Sequence, residues 1–220
     1  MTRIAVLASG GGSNLQAILE HFDSRGAAAP GTVALVASDR ASAGALEKAR
    51  ARGIPALHIP AAGPAHALED ALAAHDIELV ALAGYLRLVP AGVVHRWRGR
   101  LVNVHPALLP SFGGHGMYGH RVHDADIASG ARVSGATVHF VDEQFDRGPI
   151  IAQWPVPVPV GDTAATLAAR VLAVEHRIYP WCVAALARGD VRLGDDGRVH
   201  GSLPYEFDAF VAASGDPFAT

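Results

Sequence analysis

A carboxamide and an imidazole stand two residues apart in the run Asn103-Val104-His105-Pro106-Ala107-Leu108-Leu109-Pro110. If the apolar stretch that ends here is a strand, alternate side chains share a face. Asn103 and His105 then point the same way while Val104 points into the core. The prolines that follow stop the ladder and turn the chain. Such a pair suits a carbonyl on its way to a tetrahedral oxyanion, the amide donating a hydrogen bond and the imidazole a proton or charge. Neither serine nor cysteine stands within the run to act as a nucleophile, which favours direct transfer over a covalent intermediate. The same two residue types also serve as ordinary turn and capping groups.

Three other stretches carry chemistry. Ser9-Gly10-Gly11-Gly12-Ser13-Asn14 follows a short apolar run and precedes Leu15, Ile18 and Leu19 at helical spacing, so it reads as a glycine loop between strand and helix. Free N–H groups of a first helical turn make an anion site suited to phosphate. No Gly-Lys-Ser/Thr follows, and the third glycine of a dinucleotide fingerprint falls at Leu15, so a phosphate monoester fits better than a dinucleotide. Ser13 or Asn14 also qualifies as a plain helix cap. In Asp142-Glu143-Gln144-Phe145-Asp146-Arg147-Gly148-Pro149, one carboxylate can approach His105 and raise its pKa, so that the imidazolium is the acid near neutral pH. Asp146 is the choice, because Gly148-Pro149 fixes its backbone; a solvated acidic turn is the other reading. Residues 111–123 hold three histidines, yet no cysteine ligand and no His-Glu-x-x-His pattern, so a mobile loop is expected there rather than a metal site.

The elements that must position these groups alternate. Strands are expected at 3–8, 32–38, 54–59 and 78–83, and helices follow the glycine loop and lie at 43–51 and 65–74. That order implies right-handed βαβ units and a mainly parallel, Rossmann-like α/β sheet flanked by helices. The chain returns as strands at 133–141 and 150–158, an antiparallel addition in the C-terminal half, with Thr137 and His139 on one face. The loop 84–90 leaves the fourth strand at the edge where Asn103 stands and is a candidate wall for a flat ligand. Asp162-Thr163 caps a helix whose Leu167, Val171, Val174 and Ile178 form an apolar stripe with Glu175 beside it. Residues 191–200 read as a hairpin around Asp195-Asp196-Gly197, and 204–220 as a surface tail tacked down by Phe207 and Phe210.

A chain of 220 residues, 50% hydrophobic, can bury a full core as one domain. The net charge of -3, without a basic run, argues against nucleic acid as the main partner. Cys182, the only cysteine, is read as a core residue, consistent with a reducing compartment. Met1 leads directly into a strand, so no leader is expected, and no apolar run approaches the ~20 residues of a membrane span. A cytoplasmic protein without a membrane partner, monomer or homodimer, is the expectation.

The Ser-Gly-x-Gly-Ser-Asn loop, Asn-x-His-Pro-x-Leu-Leu-Pro, Gly-x-Thr-Val-His and Asp-x-Gly-Pro-Ile, in this order, resemble the phosphoribosylglycinamide formyltransferases of the formyl-folate transferase superfamily. The likeness runs from Arg3 to about Tyr179. The Asn-His-Pro and Asp-x-Gly-Pro motifs are shared across the superfamily, whereas the glycine-serine-asparagine loop is specific to the ribonucleotide enzymes. The resemblance implies one catalytic domain over 1–190, its phosphate-binding half at about 1–100 and its folate and catalytic half at about 101–190, followed by a hairpin and tail at 191–220. It implies transfer of a formyl group from the co-substrate 10-formyltetrahydrofolate to the amine of phosphoribosylglycinamide, a step of purine biosynthesis, without a metal. Asn103 then binds the oxyanion, His105 is the catalytic acid and Asp146 holds and charges it. Gly12, Ser13 and Asn14 cradle the ribonucleotide phosphate and Glu175 meets the ribose. Leu86, Arg87, Leu88 and Val89, with Asn103, Asp142, Glu143, Gln144, Phe145 and Asp146, enclose the pterin. His123, Thr137 and His139 support the site. The same resemblance allows a cis bond at Leu109-Pro110.

Two departures stand out. No arginine lies between Arg52 and Arg87, and Ala65-His66 occupy the approximate place of a family arginine at the folate tail, so tail binding is weaker or carried elsewhere. After Gly113-Gly114 the stretch His115-Gly116-Met117-Tyr118-Gly119-His120 is longer than in many members. Other readings remain a formyltetrahydrofolate hydrolase, which typically carries a regulatory domain ahead of the catalytic one where none is expected before Arg3, a transferase with another amine acceptor, and a non-catalytic phosphosugar-binding module.

Overall fold

The computed structural model describes residues 1–64 and 66–203. Alternating segments build a seven-stranded sheet in the order β3-β2-β1-β4-β5-β6-β7, from β1 (Thr2–Leu7), β2 (Gly31–Ser38), β3 (Ala56–His58), β4 (Leu79–Leu82), β5 (Leu101–His105), β6 (Val133–Phe140) and β7 (Ile150–Pro157). The first five are parallel to one another; β6 pairs antiparallel with both β5 and β7. Order reverses between β1 and β4, and in open α/β sheets ligands bind beyond the carboxyl ends of the strands near such a reversal.

Both faces of the sheet are buried, as expected of parallel strands. Ile4, Val6, Val36, Val102 and Val104 meet Leu15 and Ile18 of α1 (Ser13–Asp23), Leu46 of α2 (Gly44–Ala51) and Leu167, Val171 and Ile178 of α6 (Ala164–Arg188). Leu7, Leu35, Val80 and Leu101 meet Leu68 and Leu72 of α3 (Ala67–Ala74) and Val93 and Val94 of α4 (Ala91–Arg96) on the other face. Thr163 caps α6 and exchanges bonds with Thr166, and Cys182 is a core residue. Among the described residues no helix is long and apolar enough to cross a membrane.

Several expected bounds change for local reasons. β3 covers only 56–58, because Pro55 and Pro60 flank it and the Ile54 amide is spent on the Ala49 carbonyl at the end of α2. A short α4 follows Pro90, where no element was foreseen. The glycine- and histidine-rich segment is not irregular to its end: α5 (His120–Ser129) begins at His120, between Gly119 and the left-handed Gly130. The hairpin appears as β8 (Val191–Leu193) and β9 (Val199–Gly201), while the tail with Phe207 and Phe210, and Ala65, lie outside the described residues.

Tyr179 ties the end of β4 to β5 at the residue before Asn103. Its buried hydroxyl donates toward the carbonyls of Leu82, 2.8 Å away, and Val102, 3.2 Å away. Replacing Tyr179 by Phe leaves these carbonyls without that donor and is expected to cost ~1–3 kcal/mol. A urea midpoint unchanged from the parent would show that the strands do not depend on it.

Candidate active site

One cavity of about 580 Å³ opens at the carboxyl ends of β4 and β5. It is walled by residues 84–89, by Asn103 and His105, by 114–121, by Asp142, Gln144, Phe145 and Asp146, and by Leu172 and Glu175 of α6. Asn103 and His105 reach it together, since they share a face of β5 while Val104 is buried with α6. The prolines at 106 and 110 turn the chain at once, the Leu109-Pro110 bond being cis. Thr137 does not line the cavity. It holds that turn, its hydroxyl donating to the Ala107 carbonyl (2.6 Å) and accepting from the Leu109 amide (3.0 Å).

His105 is only 3% exposed. One ring nitrogen, Nε2, lies 2.9 Å from the Phe112 carbonyl, which can only accept, so Nε2 carries the proton. The other, Nδ1, lies 3.5 Å from Asp146 Oδ2. The anticipated carboxylate partner is therefore present, but its anticipated consequence is reversed. Burial lowers the His105 pKa below the ordinary histidine value, and this outweighs the upward pull of Asp146 and of the Phe112 carbonyl. Burial thus favours the neutral imidazole, in which Nδ1, the nitrogen facing Asp146, is the one that can take up a proton.

Asp146 adopts the left-handed conformation at φ 57, which Asp and Asn tolerate better than other non-glycine residues. Behind it, a Cβ on Gly148 would fall 1.9 Å from the Phe140 carbonyl, so the backbone approach that fixes the loop requires glycine. Asp146 Oδ2 accepts the Gly114 amide at 2.9 Å, and Oδ1 faces His139 Nε2 at 3.5 Å. Burial pushes its carboxyl up, yet the charge that His139 and His105 carry when protonated, together with the Gly114 amide, holds it below the usual range. It is the site's standing negative charge.

His139 orients Asn103. The Nδ1 of His139 lies 2.8 Å from the Phe140 carbonyl and must be the protonated nitrogen, leaving Nε2 as an acceptor in the neutral ring. Asn103 turns its amide nitrogen onto that Nε2 at 3.1 Å. One amide hydrogen is taken; the other meets only Asp146 Oδ1 at 3.5 Å, too long for a firm bond. Asn103 thus keeps a donor for a ligand oxygen. His123, 5% exposed, also lines the cavity, with burial lowering its pKa. His115 packs edge-on against Phe145, and Arg121 stacks over Tyr118.

The other expected residues are divided. Leu86, Arg87, Leu88 and Val89 all line the cavity, but Glu143 does not: it is exposed, 3.7 Å from His95. Arg147 is exposed. Of the glycine loop, Asn14 faces the main cavity, while Ser13 faces a second one of about 440 Å³ shared with Gln16, Glu20, Lys48 and His176. Gly12 sits at φ 72 with Ala45 2.8 Å from where a Cβ would stand, so α2 packs directly on the loop. Lys48 and His176 were not anticipated. The available signal was composition: Lys48 is the only lysine of the chain, and it donates to the Gly12 carbonyl at 3.2 Å.

Asn14 and Glu175, read separately from the sequence, touch: the Asn14 amide donates to the Glu175 carboxylate at 2.7 Å. Burial raises the Glu175 pKa to about 7, the Asn14 bond pulling it partly back. A folded pKa above the unfolded one means that the folded carboxyl holds its proton longer. The cost of ionising it grows as pH rises from the unfolded value and is complete above about 7, where it reaches ~3 kcal/mol. Glu175→Gln is therefore expected to raise the thermal midpoint by ~5–10 °C at pH 8 and by little near pH 5. An equal gain at both pH values would remove burial of the charge as the cause.

A family model described as formyl transferase matches residues 2–183. The chain is 43% identical over 202 residues to a chloroplastic phosphoribosylglycinamide formyltransferase of Vigna unguiculata, covering 89% of this chain and 64% of that one. It thus spans just under two thirds of that relative's length. Among solved structures, glycinamide ribonucleotide transformylase 1 from Symbiobacterium toebii superimposes with a TM-score of 0.82 at 44% identity, covering 91% of this chain and 93% of that one. A formyltetrahydrofolate deformylase from Pseudomonas syringae pv. tomato is more distant, at TM-score 0.78 and 25% identity, covering 90% and 65%.

Proposed function

The chain belongs to the formyl transferase family, and we propose that it moves the formyl group of 10-formyltetrahydrofolate onto the amine of phosphoribosylglycinamide, in purine biosynthesis. The observation that carries this reading is the joint placement of Asn103, His105 and Asp146 in one wall of a cavity large enough for a folate head group. Residues 84–89 and the loop around Asp142, Gln144 and Phe145 enclose the pterin. Gly12, Ser13 and Asn14 take the ribonucleotide phosphate, with the Lys48 ammonium beside them, and Glu175 meets the ribose. The phosphate end thereby falls to the first half of the chain and the chemistry to the second. The single cysteine fits a reducing compartment, and the cytoplasm is the location we assign.

In this reading the amine nitrogen attacks the formyl carbon, forming the new C–N bond while the carbonyl becomes an oxyanion. The free N–H of Asn103 stabilises that oxygen. Neutral His105 takes the proton that the amine must lose, directly or through water, and becomes a cation opposite Asp146. It then returns the proton to N10 as the C–N10 bond breaks and tetrahydrofolate departs. The neutral resting ring is an advantage, because a histidine already charged could not accept this proton.

The test is the absorbance change as 10-formyltetrahydrofolate is consumed, with and without the ribonucleotide. Consumption that requires the ribonucleotide is expected; consumption without it would make the chain a hydrolase, and none at all a binding module.

A further inference from the structure

The backbone of the loop that would wall the folate, residues 84–89, is hydrogen-bonded to the rest of the chain through one residue among those described, while Val89 and Tyr85 pack on the core. Ser9, at the carboxyl end of β1 and 2% exposed, donates its own amide to the Gly84 carbonyl at 3.0 Å. Its hydroxyl accepts the Leu86 amide, also at 3.0 Å. Among the described residues, Leu86 is the one position between 85 and 89 whose amide has a hydrogen bond. The Ser9 hydroxyl spends its proton on Asp39 Oδ1, 2.5 Å away, just beyond the end of β2. With that proton fixed on a carboxylate, the oxygen's lone pairs are turned to the loop. Asp39 also lies near enough to Tyr85 to reinforce, through its charge, the upward shift that burial gives the Tyr85 hydroxyl.

We propose that Ser9, oriented by Asp39, is a positioning residue that sets the height of the 84–89 loop against the folate. This role for Ser9 rests on the reading of that loop as the folate wall. Ser9 also begins the glycine loop, so one short segment anchors the wall for one substrate while launching the cradle for the other. The latch belongs to the folate side: the hydrogen bonds of its hydroxyl run to residue 86 and Asp39.

The variants are Ser9→Ala, which keeps the backbone bond to Gly84, Asp39→Ala, and Asp39→Asn, which keeps an acceptor for the hydroxyl. Two readouts separate the latch from the function it serves. Exchange of the Leu86 amide hydrogen in the ligand-free protein needs no substrate; it is expected to quicken about tenfold in Ser9→Ala and Asp39→Ala and to stay near the parent in Asp39→Asn. Titration with tetrahydrofolate and, separately, with phosphoribosylglycinamide is expected to show folate affinity weakened about five- to tenfold in the two alanine variants, with ribonucleotide affinity unchanged. Unaltered exchange would overturn the latch, as would equal weakening of both ligands or of neither. Asp39→Asn behaving like Asp39→Ala would overturn the orienting role of the carboxylate. If the parent itself bound no folate while exchange responded as expected, the proposed function would fall and the latch stand as structure only.

Discussion

Asp146→Asn is expected to lower turnover about 10³-fold, with little change in the affinity for either substrate. The substitution is nearly isosteric, and asparagine tolerates the left-handed backbone found at this position, φ 57. An amide oxygen can still accept from Gly114, so the loop keeps its anchor. What disappears is the negative charge 3.5 Å from His105 Nδ1. A ring whose pKa burial already depresses would then have nothing to pair with on becoming a cation, and its proton uptake would become costly. The folded state also loses what the depressed carboxyl contributes, a stability present above the unfolded carboxylate pKa and lost as pH falls through the folded one. Thermal unfolding and steady-state rates on the same preparation separate the two losses. A variant within tenfold of the parent turnover would mean that His105 does not work as a cation.

Alanine at Asn103 or His105 is expected to lower turnover by about 10²–10³-fold each. At Asn103 the missing group is the single uncommitted N–H beside Asp146, the other being spent on His139. Ribonucleotide affinity should survive, because the phosphate and ribose contacts are assigned to residues 12–14 and Glu175, and binding of that substrate does not involve the oxyanion. The two losses are not expected to add, since both act on one transition state. Equal loss of binding and of rate in Asn103→Ala would indicate a damaged cavity rather than a missing donor.

Much of this site was legible because its residues lie at strand ends, where sequence carries direction. The two-residue spacing of Asn103 and His105 fixes a shared face without any tertiary information, and the prolines after them fix where the strand stops. Asp146 was marked by the glycine and proline that follow it. Contacts across long sequence separations were not legible. The bond between Asn14 and Glu175 joins residues 161 apart, and the Ser9 to Asp39 contact depends on parallel pairing of β1 with β2. The His105 pKa was misjudged for a related reason: a neighbouring charge can be guessed from motifs, whereas the depth of burial depends on everything packed around the ring. Glu143 was grouped with Asp142 and Gln144 by adjacency, although successive residues of a turn face different ways. The start of α5 was hidden by glycines at 113, 114, 116 and 119, which end before the helix begins.

In the proposed function the formyl group passes directly from the folate to the glycinamide amine in this cavity. Folate carrying a ¹³C-labelled formyl group, incubated with the protein and phosphoribosylglycinamide, tests it most directly. The label is predicted to appear in the formylated amide of the ribonucleotide, with little released as formate and none moved by Asp146→Asn on the same timescale. Label recovered chiefly as formate, whether or not the ribonucleotide is present, would rule out direct transfer and assign the cavity to hydrolysis.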